Sequence, residues 1–260
     1  MTIDRFATFR DLHQPGNPLL LLNVWDAGSA RAVESAGAPA LATSSGAVAA
    51  ARGYVDGEAL PLDDLVRCIE QICAVVTVPV SVDLESGYGK DIATVAASAL
   101  RLARAGAVGC NLEDGIPRTS EMTSVEEQCR RLEGVRAALD AEGRPMFLNA
   151  RTDIFLKAPA GEHEEHLAAA VARGRAYAEA GADGFFVPGL AEPAWVRRVI
   201  ESVPLPVNVM LSTSTPPPAA FAEVGVARVS SGGFPYRHLM AQLSREAAEW
   251  TQGQTPTFQR

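Results

Sequence analysis

The chain is short of basic residues: 23 lysines and arginines stand against 31 aspartates and glutamates, a formal net charge of −8. That deficit argues against nucleic acid or an anionic membrane surface as a partner. It leaves an anionic small molecule open, because a local site can oppose the global charge. Cysteine is also scarce. Cys68, Cys73, Cys110 and Cys129 form no CxxC pair and fall in helical or strand patterns, which reads as packed, reduced thiols. The apolar run LLLLNVW is far too short to span a bilayer. The N-terminus, MTIDRFATFRDLHQPG, lacks the apolar core of a signal peptide. A soluble, cytoplasmic protein is the expectation, with no membrane and no nucleic acid as partner. No GxGxxG, GxSxG, Walker or HExxH pattern appears. His163 and His166 sit three apart at the start of a helix, where exposure rather than metal binding is expected.

What the chain does have is a repeated unit. A short β-rich run, a polar turn and an amphipathic helix recur through 260 residues, of which 47% are hydrophobic. The strand candidates are residues 18–25, 39–45, 79–85, 109–114, 146–152, 184–189, 206–211 and 227–232. Each is mostly apolar, as a strand buried on both faces should be. Segments such as LDDLVRCIEQICAVV and IATVAASALRLARAG repeat near 3.6 residues, and Ser124 with Glu127 is a capping-box pattern. Eight strands each followed by a helical or turn segment is the count of a (β/α)8 TIM-type barrel. A doubly wound sheet would usually carry a glycine-rich phosphate turn after its first strand, and NVWDAGSA has none. One domain over residues 1–260 is expected, opened by the short helix IDRFATFRDLH.

Polar residues gather at the strand C-terminal ends, where such barrels place their active sites. Asp83 and Glu85 close the third strand, Asn111 and Glu113 the fourth, Asn149, Arg151 and Asp153 the fifth. Asn208 ends the seventh and is assigned to substrate binding. Period-two alternation would put Asp83 and Glu85 on one face. Three acids, Asp83, Glu85 and Glu113, would repel unless a cation sits among them or protons are taken up. Their oxygens suit Mg²⁺, or Mn²⁺, better than zinc. The alternative is that they pair with Arg151 or cap loops. Arg151 reads either as a carboxylate clamp or as a structural bridge to Glu113 or Asp153. Ser44, Ser45 and Gly46 offer hydroxyls and backbone N–H groups that could cradle an anion, or simply form a tight turn.

Taken together, NVWDAGSA, TSSGAVAAARGYVD, SVDLESGYG, NLEDG and NARTD resemble the isocitrate lyase/phosphoenolpyruvate mutase superfamily, on its mutase-like branch. The resemblance runs from Asn23 to Ser231. It implies a Mg²⁺-dependent (β/α)8 barrel, a homodimer or homotetramer with its last helix swapped between subunits. It also implies chemistry at C3 of a pyruvate-like enolate. On that pattern Asp83, Glu85 and Glu113 form the metal shell and Arg151 grips a substrate carboxylate. Ser44, Ser45 and Gly46 hold the pyruvyl oxygens, and Asp56 of GYVD is a catalytic acid beside the substrate. The loop DGIPRTSEMTS lacks the Cys and His of isocitrate and methylisocitrate lyases, and its one base is Arg118. Pro188 stands near a histidine of the mutase pattern. The resulting expectation is a Mg²⁺-dependent lyase or decarboxylase acting on a small 2-oxo or 2-hydroxy acid. The alternatives are a C–P bond enzyme and a non-catalytic metabolite-binding barrel.

Overall fold

A computed structural model describes residues 4–255. Helix α1 (Arg5–Asp11) opens the fold, its first amides held by the carboxylate of Asp4. The first barrel stave comes in two pieces, β1 (Leu19–Leu21) and β2 (Asn23–Val24). Then follow α2 (Ala27–Ser35), β3 (Leu41–Thr43), α3 (Ser45–Ala50), α4 (Leu62–Val75), β4 (Val80–Asp83), α5 (Ile92–Arg104), β5 (Gly109–Glu113), α6 (Val125–Ala141) and β6 (Phe147–Arg151). The last third adds α7 (Ile154–Lys157), α8 (His163–Glu179), β7 (Gly184–Phe186), α9 (Pro193–Ser202), β8 (Val207–Met210), α10 (Pro218–Glu223), β9 (Arg228–Ser230) and α11 (Phe234–Thr251).

All strand pairs are parallel, and each strand neighbours the next in sequence from β2 to β9. The ring closes because β1 pairs with β9 while β2 pairs with β3. The predicted first strand, 18–25, is therefore one stave broken at Leu22, and the expected (β/α)8 barrel is what forms. Its helices bury a layer of Val, Leu, Ile and Ala against the outside of the strands. Burial of that apolar surface is the main stabilising term. Beneath the ring, α1 closes the N-terminal end: Phe9 and His13 pack on Phe147, the two rings of His13 and Phe147 stacked 4.2 Å apart. No helix among the described residues is long and apolar enough to cross a membrane.

Several local expectations need correction. The second strand stops at Thr43, and the predicted turn beyond it starts helix α3. The third stops at Asp83, so Glu85 lies beyond the pleat, in a left-handed backbone with φ 54°. Ser124 does accept the Glu127 N–H, but Glu127 turns to Arg130 and Arg131 instead of answering it. The complete reciprocal box is at Asp26 and Ser29. His163 is buried against Phe155, not exposed.

Candidate active site

The cavity at the C-terminal end of the barrel holds about 180 Å³ and is lined by both polar and apolar side chains. Asp83, the last residue of β4, points into it and is 8% exposed. Ser45 donates its hydroxyl (2.9 Å) and its N–H (3.3 Å) to Oδ2 of Asp83. Asn111 Nδ2 approaches Oδ1 at 3.4 Å. Parallel registry explains the meeting, because Asp83 faces Asn111 on β5, and Asn111 faces Asn149 on β6.

Arg151 makes the bridges of its structural alternative. Nη1 lies 2.8 Å from Glu113 and 3.5 Å from Asp83, and Nε binds Asp153 at 2.6 Å, yet the residue also lines the cavity. Burial opposes its charge, but Glu113, Asp153 and Asp83 outweigh that and raise its pKa. The acids carry the opposite strain. Burial, then Asp83 and Asp56, push Glu85 up to about 8. Burial raises Glu113 well above the usual carboxylate range, with Arg151 opposing and Asp153, Asp83 and Glu85 adding to the rise. One guanidinium does not balance this cluster.

Across the mouth, Asp56 sits in the loop after α3, with its carboxylate over Gly46. A β-carbon at Gly46 would lie 3.0 Å from Asp56 Oδ2, so glycine is what admits the carboxylate there. Partial desolvation and then Asp83 raise the Asp56 pKa. Ser44 is a buried residue that lines the cavity, and its hydroxyl makes no hydrogen bond among the described residues.

The cavity thus gathers Ser44, Ser45, Gly46, Asp56, Asp83 and Arg151. Glu85 and Glu113 lie behind it: Glu85 accepts from the Glu58 N–H and the Tyr88 hydroxyl, and Glu113 is held by Arg151. Asn208 does not line it. Its Nδ2 is spent on the Val209 and Arg228 carbonyls and the Ser230 hydroxyl, and its Oδ1 accepts from Asn149. The strand's lining residue is Met210, two positions on.

Arg237 of α11 was missed by sequence reading. Its guanidinium lies over the Phe234 ring at 4.3 Å and makes no ion pair among the described residues, yet it lines the cavity. The signal was present, since GGFPYRH follows the rim of β9 directly. With Phe186, Leu156 and Met210, Phe234 gives the cavity an apolar wall.

The donor set fits a hard divalent cation. Every candidate is a carboxylate oxygen, and burial with like neighbours holds Glu85 and Glu113 toward the protonated form, which Arg151 alone does not reverse and a divalent cation would. Among the described residues no three such side chains converge at ligand distance. Of the three acids only Asp83 lines the cavity, so it is the one that would hold such a cation there, and Mg²⁺ keeps its waters readily.

The chain matches the phosphoenolpyruvate phosphomutase family over residues 9–251. It is 51% identical to a candidate phosphonomutase of Burkholderia cenocepacia J2315 whose structure is solved, with TM-score 0.90, covering 94% of this chain and 98% of that one. It is 33% identical to the 2-methylisocitrate lyase of Escherichia coli K12, over 79% of this chain and 73% of the relative. A phosphonopyruvate hydrolase solved with oxalate and Mg²⁺ shares the fold, with TM-score 0.84 at 21% identity, covering 97% of this chain and 89% of that one. The chain belongs to the phosphoenolpyruvate mutase/isocitrate lyase superfamily and is an enzyme of that group of lyases and mutases.

Proposed function

We propose that this member of the superfamily is a Mg²⁺-dependent lyase. It cleaves a C–C bond at C3 of a small 2-oxo or 2-hydroxy acid and leaves a pyruvate-like enolate. One observation carries the reading: a buried carboxylate, Asp83, shares a small cavity with an unspent cation, Arg237, and an apolar wall. The bound cation supplies charge stabilisation to oxygens that become anionic as the bond breaks. Asp83 holds it, with Glu85 and Glu113 behind. Ser44 offers an uncommitted hydroxyl and Arg151 a fixed positive charge to the substrate's 2-oxo and carboxylate oxygens. Arg237 takes a second carboxylate from across the cavity. Asp56, its pKa raised, is placed to hold or give a proton at the mouth. Phe186, Met210 and Phe234 exclude water from the reacting carbon.

The second reading is a C–P bond enzyme, favoured by the family name and by the candidate phosphonomutase at 51% identity. Arg151 and Arg237 on the lining would serve a phosphonate as well as a carboxylate, so turnover decides between the two readings. The test is a panel of C4 and C5 2-oxo and 2-hydroxy acids, with and without Mg²⁺, read by 2-oxo acid release, beside phosphonopyruvate read by ³¹P NMR. Mg²⁺-dependent turnover of a carboxylic acid, lost in Arg237→Gln, supports the first reading. Turnover of phosphonopyruvate alone supports the second.

The same proposal extends to assembly. Helix α11 buries no residue of its own, and Leu239, Met240, Leu243 and Trp250 are exposed on it. On the barrel, Leu20 and Leu22 of the first stave are 54% and 51% exposed, in an apolar groove with Trp25, Val33 and Pro39. A barrel helix normally covers such strand residues. An exchanged α11 from a second copy matches this groove, which makes a homodimer or a pair of dimers the proposed state.

A further inference from the structure

The loop that carries Asp56 is fastened at one residue. Between Val55 and Leu60 the backbone makes a single hydrogen bond outside its own loop among the described residues, from the Glu58 N–H to Oε2 of Glu85 at 2.8 Å. The Glu58 carboxylate answers in the other direction. Its Oε1 accepts the Ser86 hydroxyl at 2.6 Å and the Tyr88 N–H at 2.9 Å. The Tyr88 hydroxyl then donates to Oε1 of Glu85 at 3.1 Å. Each loop therefore lends a carboxylate to the other.

The backbone at this junction is unusual. Glu58, Glu85 and Tyr88 have φ of 58°, 54° and 56°, and none is glycine. L-residues avoid this region, and they persist in it where surrounding bonds over-determine them. The exchanged carboxylates are those bonds. The next loop leans on the same place: a β-carbon at Gly57 would lie 2.8 Å from Cγ of Arg118.

We propose that Glu58 is a positioning residue for Asp56, a reading that rests on Asp56 belonging to the active site. Glu58 does not line the cavity, so its effect passes through the loop. Its carboxylate locks residues 55–60 to residues 86–88 and thereby fixes the Asp56 carboxylate above Gly46 and Ser45. The junction also explains why Glu85 sits behind the cavity: its two oxygens serve the loops.

The test compares the full-length wild type, Glu58→Ala and Glu58→Gln by hydrogen–deuterium exchange and by calorimetric titration with oxalate in Mg²⁺. Thermal melts confirm that each variant is folded. Gln keeps an oxygen that can accept from Ser86 and Tyr88, whereas Ala keeps none. In Glu58→Ala, exchange over residues 55–60 and 86–88 should rise at least about tenfold, the signature of local opening. Oxalate affinity should fall about fivefold or more, as expected when a site group loses its alignment. Glu58→Gln should restore both to within about twofold of wild type. Unchanged exchange in Glu58→Ala overturns the proposal, and so does raised exchange with unchanged oxalate affinity. Wild type that binds no oxalate would sink the enolate reading, while the exchange comparison would still decide the latch.

Discussion

Ser45 gives both its backbone N–H and its hydroxyl to one oxygen of Asp83, at 3.3 and 2.9 Å. The serine orients the carboxylate that the enolate reading makes the metal ligand. A hydrogen bond to a charged group contributes about 1.5–3 kcal/mol. Ser45→Ala should therefore weaken Mg²⁺-dependent oxalate binding by roughly 10- to 100-fold. Asp83→Ala should abolish it. Calorimetry with and without Mg²⁺ checks both, and an unchanged Kd in Asp83→Ala would put the cation elsewhere.

Among the described residues, Arg151 is the one cation touching Glu113 and Asp153. Arg151→Met leaves those buried carboxylates without a counter-charge. A broken buried pair costs about 3–5 kcal/mol. Urea melts of the ligand-free protein should show that loss, and Arg151→Met combined with Glu113→Gln should recover part of it. A loss no smaller in the double variant would mean that the charge is not the cause.

Arg228 presents the reverse case. It is fully buried inside the barrel, and among the described residues it has no carboxylate within ion-pair distance and its Nε and Nη1 have no partner. Among the described residues the guanidinium makes one hydrogen bond, from Nη2 to Asn111 Oδ1 at 3.5 Å. Unsatisfied buried donors cost about 1–3 kcal/mol. Arg228→Met should raise stability by about that amount in the same urea melts. A marked fall would show that the guanidinium is bonded in solution.

His13 sets a pH dependence. Burial, and then the charge of Arg228, lower its pKa from 6.5 to about 3. The folded state thus prefers the neutral ring. Stability from this group is complete above the unfolded pKa near 6.5 and is lost as pH falls from there toward 3. Between pH 7 and pH 5 the loss is about 2 kcal/mol. His13→Phe, which keeps a ring against Phe147, should flatten that limb of the stability curve. A wild-type curve as flat as the variant's would remove His13 as its cause.

The bare groove beside Leu20 and Leu22 predicts the behaviour of α11. Leu243→Glu, on the exposed apolar side of that helix, should shift the protein toward monomer in light scattering after size exclusion. A burial that crosses between copies ties their stability to concentration, so the variant's melting should lose its dependence on protein concentration. A wild type that is monomeric at micromolar concentration would end this reading.

The strands and their order were legible because buried parallel strands write themselves as short apolar runs. The rim acids were legible for a related reason, since a carboxylate in such a run has no packing role. Glu85 was found but misplaced. Alternation holds only while the pleat continues, and φ 54° at Glu85 is invisible in a string of letters. Asn208 shows the limit of alternation in depth: one position decides face and two decide height, and Met210 rather than Asn208 lines the cavity. Arg237 escaped because it lies on a helix past the last strand, outside the pattern being counted. His163 was misread because the short loop from Phe155 folds the chain back on itself and sets the imidazole against the Phe155 ring and the Ala158 carbonyl, a turn that helical spacing does not reveal.

The broken first stave has a consequence for how the ring is made. Its two pieces join the last and second strands, and Asn23 bonds Ser231 across 208 positions of chain. Loop-closure entropy makes such distant pairing slow. During synthesis the early stave must therefore wait, one edge unpaired, until the final strand emerges. That waiting edge, rich in leucine, is the part of the chain most in need of shelter from other unfinished copies.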